Sequence, residues 1–534
     1  MKLTDLLSKN HALIQWQREQ NKITRTLFTG IQGTIKTLLM ATAFDHQPDK
    51  YIIITDNQYH ASELYNDLSE FVGEEKVFQY FSDDNIFAEY AVASKERLAY
   101  RLDALSFLQN KQADGFLIIP IFALRNLLPN PVSFKTFNLL FTVGQEIDSD
   151  GLINQLSTIG FEKTQRVMSP GEYSKRGDIL DIYPLDAENP IRIEFFGDEI
   201  DGIRYFDVEN QRSLQELDTV NIKPSSDFIL SAADFERGVN YLSSLTNLDE
   251  KQRSYLAEII AAAKHQNYHA DLRKFSEFFY EQQWTLFDYL PKHTPIFIDD
   301  FQKINEMDHK ITQETAEFML SEKLLSRSID GMHYLADNSH QLRNYKPATF
   351  FSNFQKGLGN LKFDFLHNFN QHSMQAFFGQ MSLLQVELAH FIKTDYTVIL
   401  AVSKEKETKL TRDLHDIDIS FALTQVDELQ SKVVNIINLN LTNGFNLLDE
   451  KIAVITETEI FGKTKKRRTK RLNITNAERL QDYNELEVGD YVVHQTHGIG
   501  KYLGLETIEI SGIHRDYLTI QYQNNDTISI PVDQ

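Results

Sequence analysis

The sequence predicts a multidomain α/β protein: a parallel α/β domain split by an inserted α+β module, a small second α/β domain, and a C-terminal all-β barrel. Three observations carry this reading. Buried-strand runs such as YIIIT (51–55) alternate with helical apolar spacing over residues 25–120. The stretch 170–206 is cut by Pro and Gly into short segments with period-two alternation, the punctuation of a β-rich module. From residue 486 onward, short alternating strands are separated by Gly- and Asn-rich turns.

Composition narrows the function classes. A chain of 534 residues is too long for one core and suggests several domains. The net charge of −22 repels a phosphate backbone, so the chain as a whole is a poor duplex-binding surface. With no cysteine, disulfides and thiolate zinc sites are excluded and a reducing cytoplasm is expected. The N-terminus has no apolar signal core, and the longest apolar run, 116–124, is broken by Pro120, so no membrane partner is expected.

In chain order, 3–20 reads as one amphipathic helix. RTLFTGIQGTIKTLLMATAF then gives strand, Gly-containing turn and helix. That layout resembles a phosphate-binding P-loop, with Gly30, Gly33, Lys36 and Thr37 as its residues. Ile35 stands where the second motif glycine belongs, and a β-branched side chain crowds the backbone nest that would hold phosphate. The expectation is a vestigial nucleotide site kept for its geometry. Strands at 51–55, 77–80 and 116–119 alternate with helices at 58–71 and 95–108. Pro129 and Pro131 close the first segment, 1–130.

The docking module, 131–224, follows. In the strand 191–196, Ile191, Ile193 and Phe195 share one face, and Arg192, Glu194 and Phe196 share the other. That second face is either a protein-docking surface or a layer packed under its neighbours. The α/β pattern resumes over 225–345, with helices at 232–242 and 253–264. TPIFIDD (294–300) resembles a Walker B strand, with Asp299 as the metal-facing acid and Asp300 in place of the usual glutamate.

Residues 346–370 read as a polar connector. A small α/β domain is expected over 371–460, with helices at 375–391 and 408–414 and strands at 396–402, 433–441 and 451–456. The linker 461–475 holds KTKKRRTKR (463–471), seven basic residues in nine. A solvated linker, an intramolecular tether and a nucleic-acid contact all remain open for it. The last module is 476–534, an SH3- or Tudor-like barrel. His494 and His497 lack cysteine or convergent acids nearby, so no metal is expected there.

Two motifs carry a family resemblance. GEYSKRGDILDIYP with IRIEFFGDEIDGIRYFD resembles the module shared by the repair helicase UvrB and the bacterial transcription-repair coupling factors, and GDYVVHQTHGIGKYLG resembles the polymerase-interacting domain of the latter and of CarD-like regulators. The first resemblance implies UvrA binding through Arg176, Arg192 and Phe196. The second implies binding of the RNA polymerase β subunit, by strand addition, through His494, Gln495, His497, Gly498, Ile499, Gly500 and Tyr502. It also makes the split first domain UvrB-like. UvrB's long aromatic DNA wedge matches only about a dozen residues here, 81–93, so direct damage recognition is not expected.

By this resemblance the chain is the docking half of a monomeric coupling factor. It has no cofactor of its own; ATP, magnesium and most DNA contact belong to a translocase motor expected beyond residue 534. The rivals are a UvrB-like ATP-dependent helicase, disfavoured by Ile35, and a plain CarD-like transcription regulator.

Overall fold

The computed structural model describes residues 3–7, 10–19, 24–81, 95–208, 210–269, 271–353, 358–425, 428–430, 432–462, 488–494, 498–510, 513–522 and 527–531. The basic run 463–471 and nearly all of the segment 81–93 lie outside them.

A seven-stranded parallel sheet carries the first domain. Its spatial order is Phe365–Asn368, Arg25–Thr29, Ala348–Ser352, Ile296–Asp299, Lys50–Thr55, Gly115–Pro120, Val77–Gln79. The central strands are buried along their whole length, which is why they read as unbroken apolar runs rather than alternations. The sheet draws strands from both sides of the docking module, so the module is an insertion between Gly115–Pro120 and Ile296–Asp299.

Four sequence expectations need correction. Residues 346–370 are not a connector: Ala348–Ser352 lies inside the sheet and is fully buried, and Phe365–Asn368 forms its edge. The expected helix over 3–20 is two helices, Leu3–Leu7 and His11–Glu19, because Asn10 Oδ1 accepts the amides of Ala12 and Leu13 at 2.9 and 3.2 Å and restarts the helix. Between the insertion and Ile296–Asp299 the chain builds a helical cluster rather than strand and helix in turn. There Ala232–Ser244 and Glu250–Lys264 pack around Phe275 and Phe279. The helix expected at 375 begins at Met381, since the amides of Phe377 and Gly379 donate to Glu459 and Ile460 carbonyls at 2.7 Å and hold 377–379 off the helical path.

The inserted module is a six-stranded sheet whose strands, Glu162–Lys163, Glu172–Arg176, Ile179–Ile182, Ile191–Phe196, Glu199–Phe206 and Ser213–Leu217, lie side by side in chain order. Its inner face packs Ile191, Ile193 and Phe195 in one core with Leu152 and Leu156 of the helix Ser149–Thr158. A two-stranded ribbon, Leu139–Thr142 against Thr219–Ile222, ties the module's two ends together at its base. Just beyond, buried Asp227 accepts from Arg101 Nε at 2.6 Å and from Arg273. Burial opposes its charge, yet the two guanidiniums hold its carboxyl well below the usual carboxylate range.

The second α/β domain has the strand order Gln371–Ser373, Phe445–Leu447, Ile452–Thr456, Thr397–Val402, Val434–Asn438, Phe421–Leu423. It packs directly on the first. The helix Thr34–His46 is buried along nearly its whole length, with Ile35, Leu38, Leu39, Ala43 and Phe44 in a single core that also holds Phe28 and Ile53 of one sheet and Ile399, Ile437 and Val454 of the other. The C-terminal strands Tyr491–His494, Gly498–Ile510, Ile513–Gln521 and Thr527–Pro531 form an antiparallel meander in chain order, and among the described residues the first and last are edges. No described helix is long and apolar enough to cross a membrane.

Candidate docking surfaces and a filled nucleotide-like cleft

The residues of the nucleotide-like motif do come together. Gly30, at φ 72°, turns the chain out of Arg25–Thr29, and a Cβ there would lie 2.3 Å from the Phe369 carbonyl oxygen. Gly33, Lys36 and Thr37 face Asp299 across a cleft of about 390 Å³ at the C-terminal ends of the parallel strands, where open α/β sheets place ligands. Asp56, His60, Asp300 and Lys303 line the same cleft.

Within the cleft the motif residues are paired with groups of the chain itself. Lys36 Nζ is bound to Asp299 Oδ1, so the phosphate-binding cation and the metal-binding acid neutralise each other. Ile35 turns into the interdomain core instead of opening a phosphate nest. Asp300, at φ 62°, caps the helix Phe301–Leu324, its carboxylate accepting the Lys303 amide at 3.4 Å.

The second domain supplies one wall of the cleft through Thr442, Asn443 and Gly444. Thr34 Oγ1 donates to Asp67 Oδ2 at 2.7 Å, the Thr442 amide and hydroxyl donate to Asp67 Oδ1 at 2.7 and 2.8 Å, and the Asn443 amide donates to Thr34 Oγ1 at 3.1 Å. Complete burial pushes the Asp67 carboxyl up to about 6 despite those donors. The His60 imidazole is raised by its 2.5 Å contact with Asp56 Oδ1, against the opposing effect of burial.

The first docking surface lies on the outer face of the inserted sheet. Cross-strand register places Ile179 opposite both Arg176 and Glu194, and Arg192 between Asp181 and Arg204, so the side chains of Arg176, Asp181, Arg192, Glu194 and Phe196 share one face. Phe196 stands out from it at 82% exposure. Arg192 lies flat: Nε and Nη2 donate to the two Asp181 oxygens at 2.7 and 2.9 Å, Nη2 also donates to Gln211 Oε1 at 3.0 Å, and the guanidinium sits 4.3 Å from the Phe206 ring centroid. Arg176 Nη2 donates to Asp181 Oδ2 at 2.9 Å. Arg204 and Glu194 are ion-paired beside them, which holds the Glu194 carboxyl below its usual range. Asp181 escaped the sequence reading; its place opposite Arg192 across two strands is visible only once the register is known.

The second surface is the hairpin that pairs Tyr491–His494 with Gly498–Ile510. Among the described residues, the strand Tyr491–His494 is an edge of its sheet. His494 and Gly498 are paired backbone positions, while Gln495 and His497 lie outside the described residues. Ile499 points to solvent at 69% exposure, with Tyr491 and Leu503 exposed on the same hairpin. Tyr502 does not join them. It is 3% exposed and turned inward, since period-two alternation puts it on the face opposite Ile499, and burial raises its phenol above the ordinary value. Gly500 is inward too, where a Cβ would lie 2.4 Å from Ile520 Cγ2. Tyr491 and Leu503, rather than Gly500 and Tyr502, supply the exposed side chains.

Comparison with known proteins agrees with these two positions. Residues 139–228 match the family described as UvrB interaction domain, and residues 486–534 match the family described as CarD-like/TRCF RID domain. Over 524 residues the chain is 36% identical to the transcription-repair-coupling factor of Bacillus subtilis (strain 168) and 34% identical to that of Staphylococcus aureus (strain MRSA252). Each alignment covers 95% of this chain and 44% of the relative, so the chain spans less than half the length of the curated relatives it matches. Along the part of them that it spans, the chain is similar to the transcription-repair-coupling factors, and it matches the UvrB interaction domain and CarD-like/TRCF RID domain families at the two segments given above.

Proposed function

We propose that this chain is a two-surface adaptor for transcription-coupled DNA repair. The outer face bearing Arg176, Arg192 and Phe196 engages UvrA. The edge strand Tyr491–His494, with Ile499 beside it, engages the β subunit of RNA polymerase by strand addition. The observation that carries the reading is the convergence of two arginines and an exposed phenylalanine on one sheet face, the side-chain types that anchor protein interfaces.

The chain works as a cytoplasmic monomer and hydrolyses no nucleotide itself. Its first domain is a retired P-loop core, supported by the Lys36–Asp299 pair and the loop 442–444 over the cleft. ATP-driven movement on DNA, and most DNA contact, fall to a motor outside these residues. The C-terminal meander is the wall of a Tudor-like barrel. A solution binding assay of the chain with purified UvrA, and separately with RNA polymerase, tests the reading; failure to bind both, or measurable ATP turnover, overturns it.

A further inference from the structure

Asp181 is a carboxylate that sits in the middle of an outward sheet face and yet is 1% exposed. It is covered by the two arginines it binds. Oδ1 accepts Arg192 Nε, and Oδ2 accepts both Arg192 Nη2 and Arg176 Nη2, at 2.7, 2.9 and 2.9 Å. Leaving a buried carboxylate without its cations is strongly unfavourable, so neither arginine is free to swing away at little cost. Gln211 Oε1 and the Phe206 ring close the remaining sides of Arg192. The outcome is unequal: the Arg192 side chain keeps 12% of its surface in solvent, the Arg176 side chain keeps 50%, and Phe196 stands clear.

We infer that Asp181 is the positioning residue of this docking face, setting both arginines before a partner arrives, with Phe196 and the free edge of Arg176 making most of the contact. The inference rests on the reading of this face as the UvrA surface. Arginine carries large rotamer entropy, and a guanidinium already fixed in its bound geometry loses less on association. Arg192 then acts chiefly as a prop: with Asp181 it fixes the height and direction of Arg176. Phe196 is an apolar ring that stands out at the end of its strand, so its contribution is independent of the clamp.

The test is a double-mutant cycle in the full chain, with UvrA affinity measured by biolayer interferometry and folding followed by thermal unfolding and by RNA polymerase binding. Asp181→Asn keeps the shape but removes the charge. It is expected to weaken UvrA binding about tenfold or more, to add nothing in an Arg176→Ala/Arg192→Ala background, and to combine additively with Phe196→Ala. Polymerase binding stays unchanged. An unaltered affinity for Asp181→Asn, or an equal loss with both arginines already gone, overturns the positioning role.

Where Asp181→Asn fails to fold, Gln211→Asn decides. It withdraws the outer acceptor of Arg192, together with the Gln211 Nε2 bond to the Val208 carbonyl at 2.8 Å, and is expected to weaken binding a few-fold when Arg192 is present and not at all when Arg192 is alanine; the same loss in both backgrounds overturns the inference. A wild-type chain that binds polymerase but not UvrA defeats the underlying reading of the face, an outcome distinct from intact wild-type binding with indifferent variants.

Discussion

Lys36 and Asp299 are locked together across the cleft at the head of the parallel sheet, each occupying the place where the other would otherwise meet a phosphate or a metal ion. Thr55 Oγ1 donates to the second Asp299 oxygen at 3.4 Å, so the acid is held from the helix Thr34–His46 and from the neighbouring strand Lys50–Thr55. Breaking the pair from one side leaves a largely buried charge alone. Lys36→Met is expected to lower stability by about 3 kcal/mol, and Lys36→Met/Asp299→Leu to recover most of that loss, both read by urea unfolding. Ile35→Gly restores the motif glycine, yet no ATP binding is expected in a fluorescent-nucleotide titration, because Lys36 remains engaged. Micromolar affinity for that variant would contradict this account of the cleft.

Phe196 is the most exposed element of the inserted sheet's outer face. Truncating an interface anchor of this kind typically costs 2 kcal/mol or more. Phe196→Ala and Arg176→Ala are each expected to weaken UvrA binding by about thirtyfold with polymerase binding unaltered, and Phe196→Ala to leave the unfolding midpoint unchanged. Loss of both partners together would point to misfolding instead.

Ile499 and Tyr491 project from the C-terminal hairpin. Ile499→Glu places a carboxylate at the edge that receives the partner strand and is expected to abolish polymerase binding while UvrA affinity stays at the wild-type level. Tyr502→Ala is expected to act differently, lowering the melting temperature of the C-terminal module, since its ring fills that module's core. Differential scanning calorimetry of the two variants separates surface from core.

Asp67 bonds the two α/β domains while carrying a carboxyl raised from 3.8 to about 6 by burial. The folded state therefore holds this proton more tightly than the unfolded chain, and its contribution to stability is largest below pH 3.8 and declines as pH rises to about 6. The full span amounts to roughly 3 kcal/mol. Asp67→Asn does not titrate, so the stability difference between wild type and Asp67→Asn should change across that window and be flat above it. A constant difference from pH 4 to 8 would mean that the carboxyl is not perturbed.

Much of this architecture could be read from the chain itself. The alternation in IRIEFF separates the core face from the docking face, and the buried run in KYIIIT shows its place in a parallel sheet. Ala348–Ser352 escaped because five residues between polar stretches carry no period, and only its neighbours in the sheet show that it is central. Contacts such as Asp67 to Thr442 join residues far apart in sequence and leave no local trace. One hint was available: apolar residues of the helix Thr34–His46 are spread around its axis rather than gathered in one stripe, which signals burial from more than one side. For the docking face, composition and period locate Arg192 and Phe196, whereas Asp181 is visible only through strand register.

The ribbon of Leu139–Thr142 and Thr219–Ile222 has a mechanical consequence. A module attached by one linker swivels, and tension applied to it passes along a single strand of polypeptide. Here the Phe196 face is joined to the first domain by two covalent stems laced to each other. Anything seated on that face would be held in a fixed attitude, as on a bracket rather than a tether.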